Sequence, residues 1–184
     1  MPSPIGHALG GAAVAFALSR PARAVAAQRL NTWKLPLACA VLAAIPDADL
    51  LLPIPHRSVT HSVTAVALIS IIAIIVTGWV TGQVSKRVIV ACAAAYASHL
   101  LLDWLSVDTN FPRGIQVLWP FDDRWFISDL NLFPRVERRQ PFSPETVAGN
   151  LWAAVVEVLI MGPVVWLASW TGRRGRVARG QEYT

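Results

Sequence analysis

Apolar residues are gathered into five long runs, Pro4–Leu18, Leu35–Leu52, His61–Gly82, Val88–Ser106 and Thr146–Trp170. A helix needs roughly 20 mostly apolar residues, within a range of about 17–25, to cross the hydrocarbon core of a bilayer. The third and fifth runs clear that length easily. The first is short and rich in Gly and Ala, and its Gly6, Gly10 and Gly11 allow a close helix–helix approach. Met1 to Ala8 carries no Lys or Arg, unlike the positive start of a signal peptide, so the run reads as a retained helix. The pattern predicts an all-α fold: one membrane-embedded domain over residues 1–184, a polytopic bundle of about five transmembrane helices.

Composition strengthens this reading. Hydrophobic residues make up 54% of the 184 and charged residues only 15%, with a mean hydropathy of +0.48. A soluble domain carries about 25% charged residues. Cys39 and Cys92 lie inside apolar runs with no metal-ligand spacing and read as small buried hydrophobes.

The net charge of +5 raises the question of nucleic acid, and the positions of the charges answer it. Arg20, Arg23, Arg29 and Lys34 lie between runs one and two, Lys86 and Arg87 between three and four, and Arg173, Arg174, Arg176 and Arg179 after run five. Glu182 is the one acid in these segments. With five spans all three segments fall on one side, which the positive-inside rule makes cytoplasmic. The basic tail 171–184 is then cytoplasmic and the N-terminus outside. The link Pro53–Thr60 and the long loop Val107–Glu145 also lie outside. That loop is nearly neutral, its five Arg facing Asp108, Asp122, Asp123, Asp129, Glu137 and Glu145. The basic excess is therefore a topology signal, and no nucleic-acid partner is expected. Phe, Trp and Pro punctuate the loop, which suits a lid, a wall of a site or a plain interfacial segment.

Ionisable groups inside membrane spans point to function. Here His7 starts run one, Asp47 and Asp49 end run two, His56 and His61 bracket the entry to run three, and His99 and Asp103 end run four. On the topology drawn from Lys and Arg, all of these fall at the outer face. His99 and Asp103 are four apart and share one helix face. Pro46 marks a bend or end of helix just before the Asp47/Asp49 pair.

Imidazoles and carboxylates together suit zinc, with manganese or iron also compatible. His7, Asp47, Asp49, His56, His61, His99 and Asp103 exceed the needs of one tetrahedral ion, so two ions are expected rather than one. A two-metal site can clamp the attacking and leaving oxygens of a phosphoester. Arg57, between two candidate ligands, could hold a substrate phosphate. Glu157, in the fifth run, could be a ligand, a base or a partner that orients a histidine.

These residues resemble a known family. Gly6-His7-Ala8, Pro46-Asp47-Ala48-Asp49, His56-Arg57-Ser58-Val59-Thr60-His61-Ser62, His99-Leu100-Leu101-Leu102-Asp103 and Leu118-Trp119-Pro120-Phe121 resemble the YdjM-like family of bacterial and archaeal inner-membrane, metal-dependent hydrolases. The resemblance covers about residues 4–121 and implies a reaction class without naming a substrate. A more distant similarity is to zinc-dependent phospholipase C, which also places His and Asp four apart on a helix. That family's second pair is His-x-x-x-Glu; here Ala153 stands four before Glu157.

The leading expectation is hydrolysis of a phosphoester or related ester in a membrane lipid or lipid-linked substrate. Asp49, Arg57 and Glu157 are its candidate catalytic residues. A metal transporter, with ligands along the depth of the bundle, and a non-catalytic structural membrane protein are the alternatives.

Overall fold

The computed structural model describes residues 1–18, 33–53, 55–138 and 140–180, with side chains as far as 171. The described residues form five α-helices, α1 (Pro4–Ala17), α2 (Lys34–Ala44), α3 (Val63–Thr81), α4 (Lys86–Trp104) and α5 (Pro144–Gly180). Two short 3-10 helices, Ile45–Leu51 and Val59–His61, lie between α2 and α3. No strand forms among the described residues; Ser106–Phe133 and Ile115–Phe126 are isolated bridges. Arg20, Arg23 and Arg29, the side chains of the four tail arginines and residues 181–184 lie outside the described residues.

Each predicted run contains a helix, and local chemistry sets the ends. The Ser62 hydroxyl accepts from Ala65 N at 3.2 Å to cap α3, and Ser85 caps α4 through Val88 N. Gly82, at φ 67°, takes the left-handed turn that closes α3. The second run departs from a single long helix. Its α-helix stops at Ala44, and Pro46, which brings no N–H to the ladder, lies in the tighter 3-10 helix that follows.

Among the described residues three helices are long and apolar enough to cross a membrane: α3, α4 and residues Pro144–Thr171 of α5. With a rise of 1.5 Å per residue, α1 is only about 21 Å long and α2 about 16 Å. The expectation of five individual spans thus comes down to three by length. Most of the large apolar side chains of α3 are exposed, among them Leu68, Ile75 and Trp79, as are Leu159 and Trp166 of α5. Such surfaces suit lipid contact.

Helix α1 lies at the centre, packed on α2, α4 and α5. Small residues make this possible. A Cβ on Gly11 would stand 2.1 Å from the carbonyl oxygen of Cys39, so α1 and α2 meet backbone to backbone. Ala15, Cys39, Ala91 and Ala95 fill the space between α1, α2 and α4. Leu102 and Met161 join α4 to α5 with Phe133 of the long loop.

That loop is folded onto the bundle. It binds the helix ends through Val63 N to Val117 O, Ser128 N to Trp104 O and Leu132 N to Leu105 O, each at 2.8 Å. Ile115 and Phe133 are buried, whereas Phe111, Phe121 and Phe142 are almost fully exposed. The loop is therefore a wall over the ends of α3 and α4, with an aromatic outer surface.

The close contact predicts opposite outcomes for one chemical change. Gly11→Ala should destabilise the protein by about 1–3 kcal/mol through overpacking. Gly149→Ala, on an exposed stretch of α5 with open space around it, should stabilise by about 0.5–1 kcal/mol. Thermal unfolding in detergent compares the two; equal shifts would contradict the backbone contact.

Candidate metal centre

Four short stretches carry the polar cluster, and each is aimed by its local structure. The 3-10 helix after α2 turns 120° per residue, so Asp47 and Asp49 project about 120° apart. They address two different histidine neighbourhoods. Asp47 Oδ1 lies 3.7 Å from His61 Nε2 and 3.9 Å from His99 Nε2. Asp49 Oδ1 meets His56 Nδ1 at 2.6 Å, and its Oδ2 lies 3.4 Å from His61 Nδ1. His61 stands between the two carboxylates and turns one ring nitrogen to each.

On α4 the four-residue spacing brings His99 and Asp103 together, with Nε2 to Oδ2 at 3.3 Å. His61 Nε2 reaches the same Oδ2 at 3.4 Å and lies 3.0 Å from His99 Nε2. His7, from the first turn of α1, stacks on the His99 ring with centroids 3.8 Å apart and approaches Asp103 Oδ1 at 3.4 Å. His7, His61 and His99 are wholly buried; Asp49 and Asp103 are nearly so. The seven expected ligands thus come together, from α1, α4 and the two 3-10 helices with the turn between them.

Among the described residues two groups could hold a metal ion: Asp47, His61, His99 and Asp103, and Asp49, His56 and His61. Their hydrogen bonding differs. His99 Nδ1 donates to the Ala43 carbonyl at 2.7 Å, which leaves its Nε2 as a lone pair facing the cluster. Thr60 Oγ1 donates to Asp49 Oδ2 at 2.6 Å and accepts from His61 Nδ1 at 2.9 Å. In the neutral ring the His61 Nε2 lone pair is then also turned inward.

Two lone pairs 3.0 Å apart repel unless a cation or proton lies between them. Around a tetrahedral ion bound at 2.0–2.1 Å, neighbouring ligand atoms stand about 3.3 Å apart. Five separations in the first group run from 3.0 to 3.9 Å and bracket that value. Five buried atoms here have no hydrogen-bond partner: both ring nitrogens of His7, Asp47 Oδ1 and both Asp103 oxygens. Buried polar atoms are normally satisfied, and each orphan is destabilising by about 1–3 kcal/mol. The donor set therefore fits a divalent ion.

The second group is satisfied within itself. His56 Nδ1 donates to Asp49, while His56 Nε2 accepts from Arg138 Nη1 at 3.2 Å. Both ring nitrogens of His56 are in use, so in this arrangement it offers no lone pair to an ion.

Arg57 and Glu157 have other partners. The Arg57 guanidinium pairs with buried Asp108 and donates to the Pro112 carbonyl at 3.4 Å. The residue holds a left-handed backbone at φ 68°, kept by Arg57 N to Asp49 Oδ2 and Gln116 N to Arg57 O. This arginine braces the loop. Glu157 accepts from Ser3 N at 2.6 Å, from Gly6 N at 3.1 Å and from the Ser3 hydroxyl. A buried carboxylate against the positive N-terminus of α1 is a structural pairing. It ties α5 to the start of α1, which carries His7. A sequence-based reading of Arg138 stops at the loop's charge balance. Its Nη2 donates to Asp47 Oδ2 at 3.1 Å.

A family profile described as YdjM inner membrane protein matches residues 1–177. The chain belongs to this family. Together with three helices able to cross a bilayer, that makes it a membrane protein. No curated protein matches, and no solved structure matches. The phospholipase C likeness therefore has no support from these comparisons. The YdjM match extends well beyond Phe121, taking in the loop that supplies Arg138 and the helix that supplies Glu157.

The brace and the metal group separate experimentally. Arg57→Ala leaves Asp108 buried without its partner and should destabilise by about 3–5 kcal/mol. The folded fraction should keep the parent's metal content. Chemical denaturation and elemental analysis of the same sample read both; metal loss without destabilisation would make Arg57 part of the centre.

Proposed function

We propose that this chain is a membrane-bound, metal-dependent hydrolase that cleaves a phosphoester or related ester in a lipid or lipid-linked substrate. One observation carries the reading: five buried atoms, the His7 ring nitrogens, Asp47 Oδ1 and both Asp103 oxygens, have no hydrogen-bond partner beside a His/Asp group that could hold a metal ion. A structural polar network would satisfy its own atoms, as the Arg57–Asp108 and Glu157–Ser3 contacts do. A transporter calls for ligands along the bundle's depth, and Glu157, the carboxylate furthest along α5, is committed to the end of α1.

On this reading the whole chain is one membrane domain. The short helices α1 and α2 are embedded among α3, α4 and α5, giving five membrane helices. Helix α2 and its 3-10 extension together reach about 30 Å, the thickness of the hydrocarbon core. The Lys and Arg distribution puts the N-terminus and the pocket on the extracytoplasmic side and the C-terminus in the cytoplasm. The substrate headgroup then meets the pocket at the lipid–water boundary. An apolar groove of about 260 Å³, lined by Leu100, Leu101, Trp104, Ile115, Val117 and Phe126, flanks the same end of α4 and suits an acyl chain.

Asp47, His61, His99 and Asp103 would hold one zinc-class ion, with His7 beside it on Asp103. Zinc is favoured over manganese or iron because a tetrahedral set of two imidazoles and two carboxylates matches it. One ion suits the donors better than two, since Asp49 and His56 already use each other. When bound, the ion would act as a Lewis acid and bring the acidity of water into the neutral range.

The chain's own groups supply the rest. Asp49 holds His56 by Nδ1, as a carboxylate orients an imidazole base, and leaves Nε2 to Arg138. Once Arg138 Nη1 leaves His56 Nε2, that nitrogen takes a proton from the attacking water as oxygen adds to phosphorus. The ester P–O bond breaks, and the same proton goes to the departing oxygen.

Protein purified without chelator should contain about one zinc-class ion per chain, and His99→Ala and Asp103→Asn should each remove most of it. The same variants should lower hydrolysis of bis(p-nitrophenyl) phosphate and a phospholipid panel by at least about 100-fold. Stoichiometric metal with no hydrolysis across the panel, and zinc movement into liposomes, would give the site to transport.

A further inference from the structure

The metal-binding group leaves one matter open: what would hold the negative charge of a substrate. Arg57 is closed on Asp108. Among the other described arginines of the loop, Arg113 donates to the Asp108 carbonyl and Arg135 pairs with Glu137. Arg124 closes on Asp122 through Nε and Nη2, and its guanidinium holds that exposed carboxyl below the usual range. Arg138 alone of these points at the cluster.

We propose that Arg138 is the anion-binding residue of the pocket, holding the phosphate of the substrate over the Asp47–His61–His99–Asp103 group. This rests on the hydrolase reading above. Its placement carries the inference. Arg138 Nη2 donates to Asp47 Oδ2, the outer oxygen of a carboxylate whose other oxygen faces the two histidines. Its Nη1 donates to His56 Nε2 at 3.2 Å. One guanidinium thus touches both groups at the boundary between the buried centre and solvent.

Its chemistry suits the task. A guanidinium has five N–H donors in a planar fork that matches phosphate oxygens two at a time. The contacts to Asp47 and His56 use two of them. The side chain is 37% exposed, whereas that of Asp47 beneath it is 9% exposed. Arg138 can therefore keep Asp47 and still present N–H groups outward.

Asp47, Asp49 and Asp103 together would repel an anion, and a divalent ion alone leaves one negative charge over. Arg138 cancels that charge at a solvent-facing edge of the cluster.

The arginine is also held in place. Asn150 of α5 accepts from Glu137 N through Oδ1 and donates through Nδ2 to Glu137 O, both at 2.9 Å. This pair of bonds ties the backbone next to Arg138 to a membrane helix. A surface arginine serving only solubility would have no need of such a clamp. Asn150 is accordingly a positioning residue for the anion site.

The test uses full-length protein in phosphatidylcholine nanodiscs after elemental analysis. Inorganic phosphate and dihexanoyl phosphatidic acid are titrated calorimetrically into the parent, Arg138→Gln, Arg138→Lys and Asn150→Ala. The expected result is unchanged metal content throughout. Affinity should weaken about 10- to 100-fold in Arg138→Gln and less in Arg138→Lys and Asn150→Ala. Stronger binding of the phosphatidic acid, with both ligands lost in Arg138→Gln, assigns the anion to a lipid headgroup; equal binding assigns it to free phosphate.

A parent that holds metal yet binds neither anion, or binds them within twofold of Arg138→Gln, overturns the proposal and leaves the hydrolase reading standing. So does an Arg138→Gln protein that loses metal and anion together, since Arg138 would then merely support Asp47. Absence of metal from the parent itself removes the hydrolase reading and this inference with it.

Discussion

Negative charge held away from water shapes this molecule. Asp47, Asp49 and Asp103 each lie within 3.7 Å of a His61 ring nitrogen with at most 9% of any of them exposed. Isolated carboxylates are very unfavourable in such a setting, so each must find a cation or donors. Asp49 finds His56, Thr60 and the Arg57 amide. Asp103 finds three imidazoles, none at hydrogen-bonding geometry. That contrast separates the outer support of the pocket from the atoms left over for an ion.

Much of the remaining fold holds this pocket in register. Backbone contact at Gly11 sets α1 against α2, and the Glu157 carboxylate sets the start of α1 against α5. His7 follows one turn after Ser3 and arrives stacked on His99. The His99 ring is fixed in turn by the Ala43 carbonyl, at the end of the α-helix that precedes Pro46. Helix ends, rather than long interhelical seams, define the centre's geometry.

The sequence carries some of this openly and hides the rest. The apolar runs announce the helices because lipid and packing both demand apolar length. The convergence of His7, Asp47, His61, His99 and Asp103 is legible because few charges survive in such a chain, so those present stand out. The four-residue spacing of His99 and Asp103 alone implies a shared face. The 3-10 continuation after Ala44 is signalled only by Pro46, which permits several outcomes. Arg57 misleads because its sequence neighbours are ligands while its spatial partner, Asp108, is 51 residues away. Arg138 is invisible for the same reason: its contacts lie 82 and 91 residues back, and nothing local marks one of five loop arginines.

Helix α5 makes two polar attachments seven residues apart, Asn150 to the loop and Glu157 to α1. Seven residues is close to two full turns, so both attachments leave the same side of the helix. The opposite side shows Leu151, Trp152 and Leu159 to the surroundings. A thinner or thicker bilayer that tips α5 would therefore carry the loop segment of Arg138 and the start of α1 along in step, keeping the two edges of the pocket matched while the membrane around them deforms.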